Sequence, residues 1–386
     1  MKIIIIGGGI AGLCAAIALQ QQHFEVKVFE RAPEVKALGA GLVLGANAMR
    51  VLQKLGLENI IIENGRKLHR LSLLSDEGKT ITEVDTIKTT EVYGTDNFTI
   101  HRADLHNILI AQLKKDTLCL GKAIKKLVTG KKPVVYFEDG TEETSDAMIA
   151  ADGINSVVRK QLVPGSIIRY AGYTCWRAVI ENMPYSVNPD LFSETWGAAG
   201  RFGIVPLSKN KLYWYACKNA NKNDERMRRA KCEDLYEIFK KFHAPIPEII
   251  LNTKDEELIS NDILDLKPIS NMAFENIVLI GDAAHAMTPN MGQGAGQAIE
   301  DAYILSQCLM HLKSPLEAFK EFEKIRIKRV HKIVNDSWGI GKIAQLQNPV
   351  LIKLRNNLFK FVPKKMNERR LDFLYKVDIN PFSASN

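Results

Sequence analysis

Gly7-Gly8-Gly9-Ile10-Ala11-Gly12 has the G-x-G-x-x-G spacing, and the chemistry open to it is binding a pyrophosphate. Gly7 permits a tight turn, Gly9 lets backbone approach the phosphates, and Gly12 lets the next helix pack closely on the preceding strand. A helix that starts here offers free N–H groups and the positive end of its dipole. Glu30 stands 18 residues after Gly12, at the end of the next apolar segment, where a carboxylate can hydrogen-bond a ribose hydroxyl. A carboxylate at that point disfavours a 2′-phosphate, so FAD or NAD suits the site better than NADP. The plainer reading of the same glycines is a turn with no ligand.

The elements that must position these residues are legible around them. Ile3–Ile6 is a short apolar run of the kind that forms a buried parallel strand. A small-residue helix follows over about Ile10–Gln22, then the alternating strand Glu25–Glu30, which completes a βαβ unit. Helices are expected near Ala46–Leu55 and Ala103–Lys115, and Val134–Phe137 with Ala147–Ala151 reads as a hairpin feeding a strand. From Gly172 to Lys218 the texture changes to strand-like runs separated by turns, with three of the four tryptophans. Asn276–Ile280 returns to a parallel-type strand, and long helices follow from about Gly296.

Two further motifs carry chemistry. One is Asp152-Gly153-Ile154-Asn155-Ser156-Val157-Val158-Arg159. The other is Gly281-Asp282-Ala283-Ala284-His285-Ala286-Met287-Thr288-Pro289, continued by Asn290-Met291-Gly292-Gln293-Gly294-Ala295. With the glycine motif they stand in the order GxGxxG, DGxxSxxR, GDAAHxxxP. In this the sequence resembles the single-component FAD-dependent monooxygenases, the aromatic-ring hydroxylases typified by p-hydroxybenzoate and salicylate hydroxylases. The resemblance spans at least Ile3–Ala302.

That resemblance implies an α/β fold: a Rossmann-like FAD-binding domain, an inserted mainly antiparallel β-sheet domain for substrate, and a C-terminal helical segment. The expected boundaries are 1–170 and 271–312 for the FAD domain, 171–270 for the substrate sheet, and 313–386 for the basic helical segment. It implies that Gly7, Gly9, Gly12, Glu30 and Arg31 hold the pyrophosphate and adenosine ribose. Arg102 reaches the FAD, Asp282 bonds the ribityl chain, and Asp152 and Arg159 serve FAD pyrophosphate and NAD(P)H. Pro289, Gly292, Gln293, Gly294 and Ala295 start a helix beside the flavin pyrimidine, where a helix N-terminus suits a reduced, anionic flavin. His285 reads as a packed core histidine. The proline common before Asn47 in the family is Ala46 here. The implied reaction uses FAD, NADH or NADPH as co-substrate, and O2 to hydroxylate a small aromatic or heteroaromatic substrate through a C4a-hydroperoxyflavin. The cofactor carries the hard chemistry, so no acid–base dyad need appear. A zeaxanthin-type epoxidation, and a flavin dehydrogenase or reductase without oxygen transfer, remain as alternatives.

Arg201 and Tyr213 fall on neighbouring expected strands, with a spacing that resembles the Arg…Tyr pair of bacterial urate hydroxylases. The resemblance gives them the catalytic role of orienting an acidic aromatic substrate; the plainer reading packs them in the sheet. On Leu212–Cys217, alternation puts Tyr213 and Tyr215 on one face and Trp214 on the other.

Composition narrows the partners. The chain has 386 residues, 46% hydrophobic and 25% charged, which is ordinary globular composition. Its net charge of +8 is not spread evenly. Residues 1–312 hold 36 basic and 37 acidic side chains, whereas 313–386 hold 16 and 7. A neutral body with no recognition motif argues against nucleic acid. Leu351–Lys365 interleaves apolar and basic residues; the favoured reading packs its apolar stripe on the body, with a membrane surface second. Six cysteines at irregular spacing and no HExxH pattern suit a reducing cytoplasm and no metal. Glycines interrupt the apolar N-terminal run where a signal helix would be strongest. Asp282→Ala is expected to lose FAD, measured as flavin absorbance of the purified protein; full occupancy in that variant contradicts the ribityl assignment.

Overall fold

The computed structural model describes residues 1–35, 40–362 and 364–382. The chain opens with β1 (Lys2–Ile6), α1 (Ile10–Gln21), β2 (Glu25–Phe29), β3 (Gly41–Leu44) and α2 (Ala46–Lys54). Next come β4 (Arg66–Lys67), β5 (Arg70–Ser75), β6 (Thr80–Asp85), β7 (Phe98–His101) and α3 (Arg102–Ala111). These are followed by β8 (Leu118–Cys119), β9 (Ala147–Ala150), α4 (Val157–Leu162), β10 (Ile168–Ile180), β11 (Leu191–Gly197), β12 (Gly200–Pro206) and β13 (Leu212–Asn219). The rest comprises α5 (Cys232–Phe239), α6 (Ile246–Leu251), β14 (Ile259–Leu266), β15 (Ala273–Phe274), β16 (Ile277–Leu279) and α7 (Asp282–His285). Two long helices and two shorter ones close it: α8 (Gly294–His311), α9 (Pro315–Ala344), α10 (Pro349–Lys360) and α11 (Lys364–Tyr375).

The first sheet has the order β15-β16-β9-β1-β2-β8, and β16, β9, β1, β2 and β8 run parallel. Its central strand is the isoleucine run Ile3–Ile6, buried in one core with α1, α8 and Leu127, Val135 and Phe137 of a three-stranded antiparallel sheet over 124–144. Ala11, Ala15 and Ala18 make α1 thin enough to pack against α8. A second sheet, order β14-β10-β13-β12-β11-β5-β6, is antiparallel except where β5 joins β11. One face packs Trp176, Phe202 and Trp214 against α5 and α6. The opposite face carries Arg201, Tyr213 and Tyr215. A small sheet, β3-β7-β4, lies between the two, tied to the second by Thr99 Oγ1 donating to the Pro206 carbonyl at 2.6 Å.

Two expectations need correction. The substrate sheet is not confined to 171–270: β10 starts at Ile168, and the β5–β6 hairpin over 70–85 forms its far edge. The β5–β11 pairing joins Arg70 to Leu191, and the alternation within a strand carries no information about so distant a partner. Nor does α10 pack its apolar stripe on the body. Arg355 and Phe359 face inward onto Trp196, while Val350, Leu351, Leu354, Leu358 and Phe361 are exposed. The stretch Leu351–Lys365 also crosses residue 363 and the Lys364 side chain, which lie outside the described atoms. No helix among the described residues is long and apolar enough to cross a membrane.

Candidate active site

The carboxyl ends of β1, β2, β9 and β16 open on one crevice, and the three motifs are the loops that leave those ends. Gly7 has φ +108°, and a Cβ there would lie 2.3 Å from the Ala151 carbonyl oxygen, so the turn hugs the Asp152 loop. A Cβ on Gly12 would lie 2.0 Å from the Gly7 oxygen, so only glycine lets α1 start this close to β1. Gly9 caps α1 with no side-chain hydrogen bond, and the first turn holds no acid. Those free N–H groups are the place for a pyrophosphate. Gly8 N donates to Glu30 Oε2 at 2.7 Å and Ala32 N to Oε1 at 2.8 Å, which fixes the carboxylate beside the turn. Arg31 follows it, exposed.

Asp152 Oδ2 accepts from Val157 N at 2.8 Å and from Val158 N at 3.4 Å, capping α4. Its Oδ1 is buried with no partner among the described residues, and burial pushes the carboxyl pKa up. An orphaned acceptor beside the glycine turn suits a bound group that brings its own donor. Asp282, first residue of α7, is exposed at the same crevice. Arg102, first residue of α3, is exposed, and its charge acts on the Tyr213 hydroxyl. Arg159 is placed differently from the expectation. It is fully buried, with Nη1 donating to the Ala283 carbonyl at 3.1 Å, Nη2 to the Ile154 carbonyl and Nε to Ser166 Oγ at 3.3 Å. It ties the Asp152 loop to α7 and so positions both loops. His106, which the motifs did not single out, contacts the Gly8 carbonyl through Nε2 at 2.6 Å.

After the Asp282 loop, Pro289–Met291 forms one 3-10 turn, Gly292 takes the left-handed conformation (φ +62°), and α8 begins at Gly294. This N-terminus also has no side-chain cap and no acid in its first turn, so Gly294 and Ala295 present bare N–H groups. Gln293 turns inward: its Oε1 accepts from Asn47 Nδ2 at 3.1 Å and from Gln297 Nε2 at 3.2 Å. Its side-chain oxygen is thus engaged within the protein.

Beneath that turn lies a cluster of charges the motif reading missed. Glu300, Asp301 and Arg326 are all fully buried. Arg326 Nε donates to Asp301 Oδ1 at 2.7 Å, Nη1 to Glu300 Oε2 at 2.5 Å and Nη2 to Gln297 Oε1 at 2.7 Å. Arg329 adds two bonds of 2.9 Å to Glu300 and reaches the Phe373 and Leu374 carbonyls of α11. The other oxygen of Asp301 accepts from Gly281 N at 2.9 Å and His285 Nε2 at 2.5 Å. Burial pushes the Asp301 carboxyl up, but His285 and Arg326 outweigh it and hold it at about 2. Glu300 likewise ends below its ordinary value, burial being outweighed by Arg326 and Arg329. His285 is a buried anchor for this loop. The signal of the cluster in the sequence is the adjacent Glu300-Asp301 pair inside the mostly apolar run of α8.

On the substrate side, register puts Arg201 opposite Cys217 and Val205 opposite Tyr213. Arg201 and Tyr213 therefore share a face but sit four residues, about 13 Å, apart along it, with Tyr215 between. Each is tied to the turn before α8 by a separate route. Arg201 Nη1 donates to Asn290 Oδ1 at 2.9 Å and to Glu194 Oε1 at 3.3 Å. Asn290 also accepts from the Tyr173 hydroxyl at 3.0 Å and donates to the Ser337 carbonyl at 2.9 Å. Tyr213 lies on Gly41, where a Cβ would be 2.6 Å from its ring, and Val43 of the same strand neighbours Gly292.

A parallel sheet with a GxGxxG turn, two uncapped helix N-termini on one crevice and an aromatic sheet face opposite define a dinucleotide-dependent flavoprotein. Residues 1–337 match the FAD binding domain family, and the chain belongs to it. It is 35% identical over 363 residues to the aurachin C monooxygenase/isomerase of Stigmatella aurantiaca, covering 94% of each chain. It is 30% identical over 378 residues to the 2-heptyl-3-hydroxy-4(1H)-quinolone synthase of Pseudomonas aeruginosa, covering 96% of each. The solved structure of Klebsiella pneumoniae HpxO with FAD and uric acid has a TM-score of 0.90 at 25% identity, covering 97% of this chain and 96% of that one. The protein is an FAD-dependent monooxygenase of the aromatic-hydroxylase kind, an oxidoreductase whose homologues act on aromatic and heteroaromatic rings.

Arg326→Met leaves two carboxylates buried without their shared cation and is expected to destabilise the fold by about 3–5 kcal/mol, read by urea denaturation. A loss below about 1 kcal/mol contradicts the role given to the cluster. Asp301 has a folded pKa below its unfolded value. Its stabilisation is therefore complete above about pH 4 and is lost as pH falls toward 2. Asp301→Asn is expected to flatten that acid limb.

Proposed function

We propose that this flavoprotein inserts one atom of O2 into a planar heteroaromatic ring that carries an apolar substituent, with NADH or NADPH as electron donor. Bound FAD would supply the redox and oxygen-transfer chemistry. Gly9 and Ile10 N–H groups with Glu30 would hold its adenosine end, Asp282 its ribityl chain, and the α8 N-terminus its pyrimidine.

The observation that carries the substrate reading is the sheet face itself. Tyr213 and Tyr215 are half-buried and reachable, whereas Arg201 is 2% exposed and already engaged by Glu194 and Asn290. A ring can stack on the tyrosines, worth about 0.5–1.5 kcal/mol beyond area burial. Nη1 of the cation expected to receive an acidic substrate is held by the protein, and its buried Nε has no partner among the described residues. Arg201 then acts as a positioning residue, fixing Asn290 and through it the turn before Gly292. Burial pushes the Tyr213 hydroxyl pKa well above its ordinary value, so at neutral pH it stays protonated and can donate a hydrogen bond to a ring carbonyl. The quinolone in the name of the Pseudomonas relative supports this ring class. Six free thiols support a reducing compartment such as the cytoplasm.

The test is a substrate panel of a 2-alkyl-4-quinolone, 6-hydroxynicotinate, urate, salicylate and a carotenoid alkene. Each is scored for NADH and NADPH oxidation and for product gaining one oxygen. Coupled oxygenation of the quinolone is expected, with Tyr213→Ala lowering kcat/KM about tenfold while FAD is retained. Arg201→Gln is expected to raise uncoupled NAD(P)H oxidation. Turnover of urate or salicylate alone overturns the substrate class.

A further inference from the structure

Helix α10 turns Arg355 inward with the half-buried Ile352 and Phe359, and leaves most of its apolar residues outside. Arg355 is buried, stacks 4.9 Å above the Trp196 ring and donates to the Ile343 and Ala344 carbonyls at 3.3 and 3.1 Å. Phe359 meets the same ring edge-on, 5.6 Å between centroids. Arg355 and Phe359 fix the rotation of the helix about its axis. At roughly 100° per residue, Val350, Leu351, Leu354, Leu358 and Phe361 then fall within one arc of about 100° on the far side. Their exposure runs from 46% for Leu351 to 81% for Phe361, and Met366 beyond the helix is 49% exposed. Isolated exposed apolar residues are ordinary, but a continuous ridge of five is the mark of an interaction surface. Exposed Lys353 and Lys360 flank the ridge on one side, and exposed Lys365, Arg369 and Arg370 follow it. From Pro349 to Arg370 the sequence holds seven basic residues and one acidic.

We propose that α10 is an interfacial helix that docks the protein on an anionic lipid bilayer, its ridge in the acyl boundary and its cations at the headgroups. Apolar ridge and flanking cations together favour this occupant. A second copy of the chain would place like charges against like, since both faces would carry the same cations. Trp196 pairs with Arg201 across β11 and β12, so the docked helix lies on the same side of the sheet as Arg201, over the edge formed by β5, β6 and β11. Docking would set the lipid surface beside the proposed ring-binding face. The docking itself does not depend on which ring is oxidised.

The experiment is flotation of FAD-loaded protein with vesicles of phosphatidylcholine alone or mixed with phosphatidylglycerol, read by flavin absorbance. Binding at least about tenfold tighter to the anionic vesicles is expected, weakening with salt. The double variant Leu354→Glu/Leu358→Glu is expected to lose flotation while keeping FAD content and monomer fold. The proposal fails if the parent protein stays in the aqueous fraction with anionic vesicles at low salt. It also fails if the double variant floats as well as the parent. A dimer by sedimentation that dissociates in the double variant, with no vesicle binding, assigns the ridge to a second copy instead.

Discussion

Two adjacent carboxylates on a buried helix, Glu300 and Asp301, are the constraint on which the cofactor end of the molecule rests. Burying either as an anion costs several kcal/mol unless it is paired and hydrogen-bonded. Here every oxygen of the pair has a strong donor, from Arg326, Arg329, His285, Gly281, Gln297 or Asn47. Satisfying them fixes the relative placement of α8, α9, the Gly281–His285 loop and, through Arg329, α11. Such a cluster adds little to net stability compared with apolar packing. What it supplies is a unique geometry, because any shift of α8 against α9 leaves a charge unpaired.

That geometry is what the crevice needs. The N-terminus of α8 can face a flavin only if it stays uncapped, and α8 is therefore held from its interior rather than its end. Asp282 is presented by a loop whose Gly281 amide and His285 ring are both held by Asp301. On the opposite wall, Asn290 links Arg201 to α9 through Ser337, and Gly41 receives Tyr213. The crevice loops and the second sheet thus share anchors, and the Tyr213–Tyr215 face is indexed to the crevice from two sides.

The parts legible in the sequence were those written in local pattern. The isoleucine strand, the glycine turn, the Asp152 and Asp282 loops and the alternation at Tyr213–Tyr215 all depend on neighbours within a few residues. The parts that were not legible depend on pairing at a distance. Arg159 carries its motif position, yet its burial is set by carbonyls at Ile154 and Ala283. Arg201 matched a spacing, yet its Nη1 is held by Glu194 and Asn290. The parallel β5–β11 edge and the inverted face of α10 likewise follow from partners, Leu191 and Trp196, that periodicity does not name.

Native-state hydrogen exchange in Asp301→Asn reads the central constraint most directly. If Asp301 ties the Gly281 loop to α8 and α9, amides 281–285 and the first turn of α8 should exchange faster together, while β10 and β13 of the substrate sheet stay protected. Unchanged exchange in the loop and helix start, or a uniform rise over the whole chain, would contradict the account.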